Sequence, residues 1–274
     1  MAKVAALARF QVLQQRLSLA RLRRRLSCAG IESVTIARAN GVRLEVPSTS
    51  DLLGPLMSGR FERDHLQALM GLVGPGETVI DVGANIGAIS CELALLVGPN
   101  GSVFSFEPDP SNYRLLCANL ARNDFEMVRP QRLAVSNRLT TGVLELPLGR
   151  GEYASLAPVV HASVRGAERR RETVAVSTLD EALGSTIQSC KLIKIDTEGH
   201  EWHVLQGADQ LLRRQRPLLS LEIVPELLAS HGASTTELLD ALAALSYSLR
   251  DLAGNLLKVD RLGEPGYHQF IGEP

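Results

Sequence analysis

The stretch TVIDVGANIG, residues 78–87, decides the fold prediction, because an apolar strand leads directly into the start of a helix. Glycines at positions 83 and 87 let the backbone turn tightly and approach a bound molecule without a Cβ in the way. The following helix offers unpaired amides and the positive end of its dipole. A dinucleotide fingerprint requires G-x-G-x-x-G, whereas Asn85 stands at the position of the middle glycine. The pattern DxGxNxG therefore argues against a nicotinamide cofactor.

Strands and helices alternate outward from this stretch, which predicts a parallel sheet. In chain order we predict the strands SVFSFEP, QRLAV, LIKID and LLSLEI, and helices over residues 86–96, 111–122, 200–214 and 235–245. Residues 247–259 are predicted to form a hairpin that closes the sheet, since Gly254-Asn255 is a typical turn pair. Two further strands, VLELP and ETVAV, are predicted to flank a loop rich in Gly, Ala and Arg.

Composition places the chain among ordinary globular proteins. Its 274 residues are 45% hydrophobic and 22% charged, which suits one large α/β domain and argues against disorder. The net charge of −1 and the 4% aromatic content give no signature of nucleic-acid binding. Residues 1–30 nevertheless carry seven basic groups and no acidic one. We therefore predict a basic helical arm with its lead-in over residues 1–50, followed by the main α/β domain over residues 51–274.

The basic arm has two predicted roles, homo-oligomerisation or contact with an acidic surface, and a solvated helix face is the alternative. No run of the chain approaches the ~18 uncharged apolar residues of a spanning helix. The N-terminus also lacks the apolar core and cleavage site of a signal peptide. Four cysteines lie far apart without a CxxC pair, which indicates neither structural zinc nor a disulfide framework. We expect a cytoplasmic protein with reduced thiols.

Glu107 is the second candidate functional residue, because it follows the second strand, SVFSF. An acid at that position accepts hydrogen bonds from both hydroxyls of a ribose in nucleotide-binding α/β folds. The glycine turn and Glu107 together fit an adenosyl ligand with a free ribose diol.

Asp196 and Glu222 are candidates for the reaction itself. Asp196 follows the apolar run LIKI, so we expect it at the carboxyl end of a central strand, where open α/β sheets bind ligands. Glu222 ends the next strand and should face the same crevice. Two adjacent carboxylates raise one pKa or recruit a cation, and oxygen ligands suit Mg²⁺. His200 is an alternative proton acceptor. Three interpretations stay open: His200 as base, a metal at Asp196 and Glu222, or neither.

The motifs DVGANIG, FEPDP, LIKIDTEGHE and PLLSLEI resemble those of the FkbM-type methyltransferases, which use S-adenosylmethionine. The resemblance covers roughly residues 58–225 and includes the lead-in Gly59-Arg60-Phe61-Glu62. DVGANIG alone is shared by class I methyltransferases generally, and IDTEGHE is the more specific motif.

The resemblance implies a Rossmann-like class I methyltransferase fold, with a seven-stranded, mainly parallel sheet and an antiparallel C-terminal hairpin. It implies methyl transfer from S-adenosyl-L-methionine to a hydroxyl of a sugar or of a natural-product or glycoconjugate intermediate. The matching positions give the cofactor-binding residues Glu62, Asp81, Gly83, Asn85, Gly87, Glu107, Ala134 and Ser136. They also give the catalytic candidates Asp196, Glu198 and His200, and Asp196 with Glu222 as a candidate Mg²⁺ pair.

Two other functions were weighed against this one. N-methylation of nucleic acid requires an Asp/Asn-Pro-Pro-aromatic element to hold a flipped base, and the sequence contains no such string. The basic arm is its only support. A catalytically silent adenosyl-binding subunit would keep Asp81 and Glu107 but would need no acid–base group. The complete IDTEGHE segment argues against that role.

Overall fold

The computed structural model describes residues 18–157, 162–184, 186–256 and 268–274. The chain forms two compact units, Met1–Phe61 and Glu62–Pro274. Residues 1–17, which carry much of the predicted basic arm, lie outside the described residues.

The first unit contains one longer helix, a hairpin and one short helix. Helix α1 spans residues 18–28, in agreement with the predicted helical arm. Strands β1 (Ser33–Ala37) and β2 (Arg43–Pro47) pair antiparallel, and helix α2 (Leu53–Met57) follows. Arg23 on α1 forms an ion pair with Asp51 at 3.1 Å. At least one basic side chain of the arm thus forms an ion pair within the first unit.

The second unit is built on a seven-stranded sheet. Its strands are β3 (Thr78–Val82), β4 (Ser102–Phe106), β5 (Val128–Gln131), β9 (Leu192–Ile195), β10 (Leu218–Ile223), β11 (Ser248–Asp251) and β12 (His268–Glu273). They lie in the order β11-β12-β10-β9-β3-β4-β5. The five strands from β10 to β5 in this order are parallel, and β12 is antiparallel to both β10 and β11. The predicted mainly parallel sheet of seven strands is confirmed.

The described residues of the second unit form the helices α3 (Arg63–Leu72), α4 (Ala88–Val97), α5 (Pro110–Arg122), α6 (Leu179–Leu183), α7 (Glu201–Gln206), α8 (Asp209–Gln215), α9 (Pro225–Ser230) and α10 (Thr235–Ala244). Ser234 caps α10 as predicted, since its side chain accepts from the Glu237 amide and Glu237 bonds back to it. Within the described part of the chain, none of the helices is long and apolar enough to cross a membrane.

A second, three-stranded sheet contains β6 (Ala134–Val135), β7 (Thr140–Pro147) and β8 (Arg169–Ser177) in the order β6-β8-β7. Strands β7 and β8 are the predicted strands VLELP and ETVAV, each longer than its motif. The arginines of β8 are not simply solvated: Arg171 pairs with Glu145 at 2.9 Å, and Arg170 reaches Asp109 at 3.3 Å. This sheet is therefore tied to the first residues of α5.

Two elements differ from the sequence prediction. The strand QRLAV is divided, because Gln131 ends β5 in the large sheet while Ala134 and Val135 pair with β8. The helix predicted over residues 200–214 breaks at Gly207, where a Cβ would lie 1.9 Å from the carbonyl oxygen of Ser136. The predicted hairpin over residues 247–259 is present in its described part, since Arg250 and Leu256 form an antiparallel bridge around the Gly254-Asn255 turn, and β11 also pairs with the distant β12. Residues 257–259 lie outside the described residues.

Candidate active site

Four polar residues form a row across the middle of the large sheet. The strand register pairs Ser105 with Asp81, Asp81 with Lys194, and Lys194 with Ser220. Register neighbours point to the same face of a sheet, so these side chains lie side by side. All four are buried. We call Ser105, Asp81, Lys194 and Ser220 the inner row.

Charge compensation holds the inner row together. The Lys194 ammonium lies 3.1 Å from Asp81 Oδ1 and donates to the Gly83 carbonyl oxygen at 2.9 Å. The Ser90 hydroxyl on α4 donates to Asp81 Oδ2 at 2.6 Å. Burial alone would lower the pKa of Lys194, but the charges of Asp81 and Asp196 raise it above its ordinary value. Lys194 therefore stays charged inside the protein.

A second row lies two residues further along the same strands, at their carboxyl ends. It consists of Glu107, Gly83, Asp196 and Glu222, which we call the outer row. Gln269 on β12 lies opposite Glu222. Side chains at i and i+2 share a face of a strand, so the outer row lies directly beyond the inner row. This is the edge at which parallel α/β sheets bind ligands.

The structure brings Asp196 and Glu222 together at one end of the outer row, and their carboxyl groups share a hydrogen bond. Burial would raise the pKa of Asp196, but Lys194, 3.4 Å away, and the bond from Glu222 lower it. Burial and the neighbouring Asp196 charge raise the pKa of Glu222 well above its ordinary value. The pair therefore combines an ionised carboxylate with a carboxyl group that retains its proton to higher pH.

Glu107 marks the other end of the outer row. Its two oxygens accept hydrogen bonds from the amides of Asn85 at 2.7 Å and Asp109 at 2.8 Å. Burial raises the pKa of Glu107 to about 8, although these amide bonds act in the opposite direction. Asn85 has a positive φ of 54°. The carboxylate thus organises the turn that leads into α4.

Gly83 and Gly87 need the left-handed backbone of this turn, with φ of 78° and 85°. A Cβ on Gly83 would lie 1.8 Å from the carbonyl oxygen of Asp196. At Gly87 a Cβ would lie 2.6 Å from Leu116 Cδ1. The glycines are therefore required by packing of the chain against itself, in addition to the expected approach of a ligand. Asp81 is wholly buried and supports this turn from the inner row.

The loop after β9 is organised by Glu201, which lies close to the catalytic candidate Glu198. Glu201 accepts hydrogen bonds from the Thr197 amide at 2.9 Å, the Thr197 hydroxyl at 3.0 Å and the Gly199 amide at 3.1 Å. Glu198 has a positive φ of 55°. Burial and the charges of Asp196 and Glu201 raise the pKa of Glu198 well above its ordinary value.

His200 lies in a cluster of histidines. Its Nε2 is 2.9 Å from the Ser136 hydroxyl, its Nδ1 is 2.8 Å from Nδ1 of His231, and its ring stacks on His203 at 4.4 Å. Burial and the two neighbouring imidazoles lower the pKa of His200 to about 3. Both ring nitrogens of His200 are thus already in hydrogen-bonding contact with other side chains, which leaves neither free to act as a general base.

Ala134 and Ser136, predicted near the adenine, lie on and just after β6 in the small sheet. Ser136 contacts His200, as described, and its amide donates to the Ser177 carbonyl at 2.8 Å. The loop after β7 also reaches this region, because the Ser155 hydroxyl lies 2.9 Å from His231 Nε2. The histidine cluster thus connects the small sheet with α7 and α9.

The carboxylate pair does not fit Mg²⁺. No group of three or more His, Cys, Asp or Glu side chains that could hold a metal ion occurs among residues for which the structure is described. The Lys194 ammonium also lies 3.4 Å from Asp196 Oδ2 and already supplies positive charge there. A second cation at this carboxylate would be repelled by the first.

Glu62 lies near the end of the outer row that holds Asp196 and Glu222, because it bonds to Gln269, which lies opposite Glu222. It has a positive φ of 47° and precedes α3. Its Oε2 bonds to Nδ1 of His65 at 3.0 Å and to Nε2 of Gln269. Nε2 of His65 in turn lies 2.6 Å from the Ser220 hydroxyl in the inner row.

The residues of this arrangement that the sequence analysis missed include His65, Lys194, Ser220 and His231. Lys194 and Ser220 each lie two residues before a predicted carboxylate, so strand periodicity could have placed them on the same face. The contacts of His65 with Ser220 and of His231 with His200 have no local signal, since the two partners of each contact come from distant parts of the chain.

The family model described as "Methyltransferase FkbM domain" matches residues 81–249 of this chain. The chain belongs to the FkbM methyltransferase family. This FkbM protein is 26% identical over 193 residues to the hexuronic acid methyltransferase AglP of Haloferax volcanii, a match that covers 69% of the present chain and 74% of AglP.

Two solved structures illustrate the wider similarity of this FkbM protein. The methyltransferase FkbM of Methylobacillus flagellatus matches with a TM-score of 0.45 and 16% identity, over 81% of the present chain and 54% of the other. The present chain therefore spans about half the length of that protein. Fibrillarin of Aeropyrum pernix, solved with S-adenosyl-L-methionine, matches with a TM-score of 0.43 and 12% identity, over 89% and 94% of the two chains.

Proposed function

We propose that this member of the FkbM family is an S-adenosylmethionine-dependent O-methyltransferase that acts on a hydroxyl of a sugar or of a natural-product or glycoconjugate intermediate. The observation that carries the proposal is the outer row. It combines Glu107 beside the β3–α4 turn with the Asp196–Glu222 pair along one sheet edge. One end suits an adenosyl cofactor and the other suits an acceptor that must lose a proton.

The cofactor end fits the adenosyl group. Glu107 is buried at the end of β4, and each of its oxygens can accept a further hydrogen bond besides the one from an amide. A ribose diol supplies two such donors. The turn through Gly83, Asn85 and Gly87 presents the beginning of α4 to the same space. When bound, the cofactor supplies an electrophilic methyl group on a sulfonium.

The acceptor end suits a neutral hydroxyl. Asp196, Glu198 and Glu222 gather there, and each of these acids influences the pKa of another. Such a field repels an anionic acceptor, whereas a neutral hydroxyl can donate a hydrogen bond to the ionised Asp196. It argues for a hydroxyl in preference to a carboxylate as the methylated group. The similarity to a hexuronic acid methyltransferase supports a sugar as the molecule that bears this hydroxyl.

The reaction needs one bond to form and one to break. The acceptor oxygen attacks the methyl carbon, the carbon–sulfur bond breaks with its electron pair on sulfur, and S-adenosylhomocysteine leaves. The oxygen becomes strongly acidic as the new bond forms, and its proton passes to the Asp196–Glu222 pair. Much of the acceleration would come from alignment of oxygen, carbon and sulfur. The geometry favours this carboxyl pair over His200 as the proton acceptor.

The decisive experiment combines cofactor binding with methyl transfer. Purified protein is titrated calorimetrically with S-adenosylhomocysteine, with and without Mg²⁺, and NADH serves as the control ligand. The same protein is incubated with methyl-labelled S-adenosylmethionine and a panel of neutral and acidic methyl glycosides. We expect micromolar binding of S-adenosylhomocysteine that is independent of Mg²⁺, and label in at least one neutral glycoside.

Each contrary result has a separate meaning. Heat with NADH and none with S-adenosylhomocysteine would contradict the cofactor assignment. Binding that depends on Mg²⁺ would restore the metal interpretation of Asp196 and Glu222. Label recovered as an alkali-labile ester of a uronic acid would replace the hydroxyl acceptor with a carboxylate.

A further inference from the structure

Glu62 is held in place by a branched network of hydrogen-bonding side chains. Its Oε2 bonds to both His65 and Gln269, and His65 bonds to Ser220 in the inner row. His65 and Ser220 are almost completely buried, whereas the Glu62 side chain is 31% exposed. The network is thus anchored by two buried side chains, and the Glu62 carboxylate is its partly exposed end.

The open end of this network belongs to the acceptor side of the crevice. Gln269 lies opposite Glu222 in the register of β10 and β12, so Glu62 reaches the strand next to Glu222. The charges of Glu62 and Asp196, and of Glu62 and Glu222, also act on one another. Glu107, at the cofactor end, is separated from β10 by strands β3 and β9.

The second oxygen of Glu62 is available for a ligand. Within the described chain, Oε1 accepts no hydrogen bond, whereas Oε2 accepts two. Burial would raise the pKa of Glu62, but the bonds from His65 and Gln269 lower it below its ordinary value. The carboxylate is therefore ionised, fixed at one oxygen and open at the other, which suits acceptance of a hydrogen bond from a hydroxyl.

Backbone strain at Glu62 supports a functional role. Its φ of 47° is in the left-handed region, which is unfavourable for a side chain with a Cβ. Asn85 and Glu198, two other residues of the site, share this feature. Strained positions persist where the surrounding structure holds them, and they concentrate at active sites and ligand clamps.

We propose that Glu62 is an acceptor-binding residue that fixes a sugar through a hydroxyl neighbouring the methylated one, and that His65 is the residue that positions it. The inference rests on the proposed function, because it assumes a polyhydroxylated acceptor. It moves Glu62 from the cofactor group, where the sequence placed it, to the acceptor group. It also gives a role to the buried His65–Ser220 pair.

Two measurements on Glu62→Gln and His65→Gln test this assignment. Calorimetry with S-adenosylhomocysteine should give dissociation constants within about twofold of the wild type, because neither side chain contacts the cofactor. The KM for the methyl glycoside that the wild type labels best should rise by about tenfold, with kcat within about threefold. Tyr247→Phe is the matched control, since it also removes one buried hydrogen bond, to the Pro217 carbonyl, outside the site.

The double variant Glu62→Gln/His65→Gln separates positioning from general stability. If His65 acts through Glu62, the double variant should have the KM of Glu62→Gln alone, because coupled residues are non-additive. A merely structural His65 would add its own effect. Glu62→Asp retains the charge and provides a second variant if Glu62→Gln fails to fold, and its KM should also rise because its carboxylate is shorter.

A tenfold loss of S-adenosylhomocysteine affinity in Glu62→Gln would overturn the proposal, and so would an unchanged acceptor KM. Failure of the proposed function gives a different result. In that case the wild type labels no glycoside, and the cofactor titration still decides whether Glu62 contacts the cofactor.

Discussion

The inner and outer rows lie two residues apart on the same strands, yet they differ in environment. Inner-row side chains are buried, and the charge of Asp81 is matched by Lys194. In the outer row Asp196 is 38% exposed, and Glu107 and Glu222 have raised pKa values. Perturbed carboxyl groups in a crevice are typical of functional sites. The inner-row groups thus stabilise the sheet, whereas the outer-row groups, two residues further along the same strands, are available to ligands.

The largest effect is expected from Lys194→Met, which breaks the inner row. Asp81 would lose its counter-charge while still buried, and removal of one partner of a buried ion pair lowers stability by about 3–5 kcal/mol. Urea denaturation measures the free energy of unfolding. Lys191→Met is the control, because its side chain is 40% exposed and lies 3.7 Å from Glu77, so it should cost at most about 1 kcal/mol. Equal stability of the two variants would contradict the distinction between the rows.

Asp196→Asn changes the outer row and should separate activity from stability. The carboxamide cannot take up the acceptor proton or polarise Glu222, so turnover should fall by about a hundredfold or more. Affinity for S-adenosylhomocysteine should remain within a few fold. The measurement is methyl transfer to the best glycoside, with the exposed Asp209→Asn as control. Full activity of Asp196→Asn would remove the proposed acceptor end.

Glu107→Ala should weaken S-adenosylhomocysteine binding by more than about tenfold, because the ribose loses its acceptor. The pH dependence gives a finer test. The pKa of Glu107 is raised to about 8, and ribose hydroxyls donate to the ionised form. Affinity should therefore increase by about tenfold from pH 6.5 to pH 8.5 and weaken as the pH falls. Glu107→Gln should abolish this dependence, and a slope that persists in the variant would assign it to another group.

Ser90→Ala is the mildest test of the comparison. It removes the α4 hydroxyl that donates a hydrogen bond to Asp81 of the inner row at 2.6 Å. The free energy of unfolding should fall by about 1 kcal/mol. Binding of S-adenosylhomocysteine should stay within about twofold. A loss of affinity without a loss of stability would show that the inner row acts on the ligand directly.

The order of the sheet was largely predictable because its signals are local. The apolar runs TVIDV, LIKI and LLSLEI are buried strands, and the helices between them follow from periodicity. The errors occur where a contact with a distant part of the chain determines the boundary of a helix or strand. Helix α7 ends at Gly207 because the Ser136 carbonyl packs against it, and Gln131 and Ala134 separate because β8 pairs with β6. No window of sequence contains both partners of these contacts.

The candidate site was predictable at its carboxylates but not at their partners. Asp196 and Glu222 end neighbouring strands, so their proximity follows from the parallel order. Lys194 resembles an ordinary strand lysine until β3 brings Asp81 beside it in register. His200 is titratable and lies in the right motif, yet its environment depends on His231 from another helix, and that environment lowers its pKa to about 3.

The close contact between Gly83 and the Asp196 carbonyl links the two ends of the crevice mechanically. A Cβ at position 83 would lie 1.8 Å from that oxygen, so the two backbones are already in contact. A shift of the turn when one ligand binds must be accommodated by the strand end that serves the other. Any resulting change in affinity is reciprocal, since each ligand alters the binding of its partner by the same factor. Two ligands bound at the two ends of the crevice would then bind cooperatively through this backbone contact.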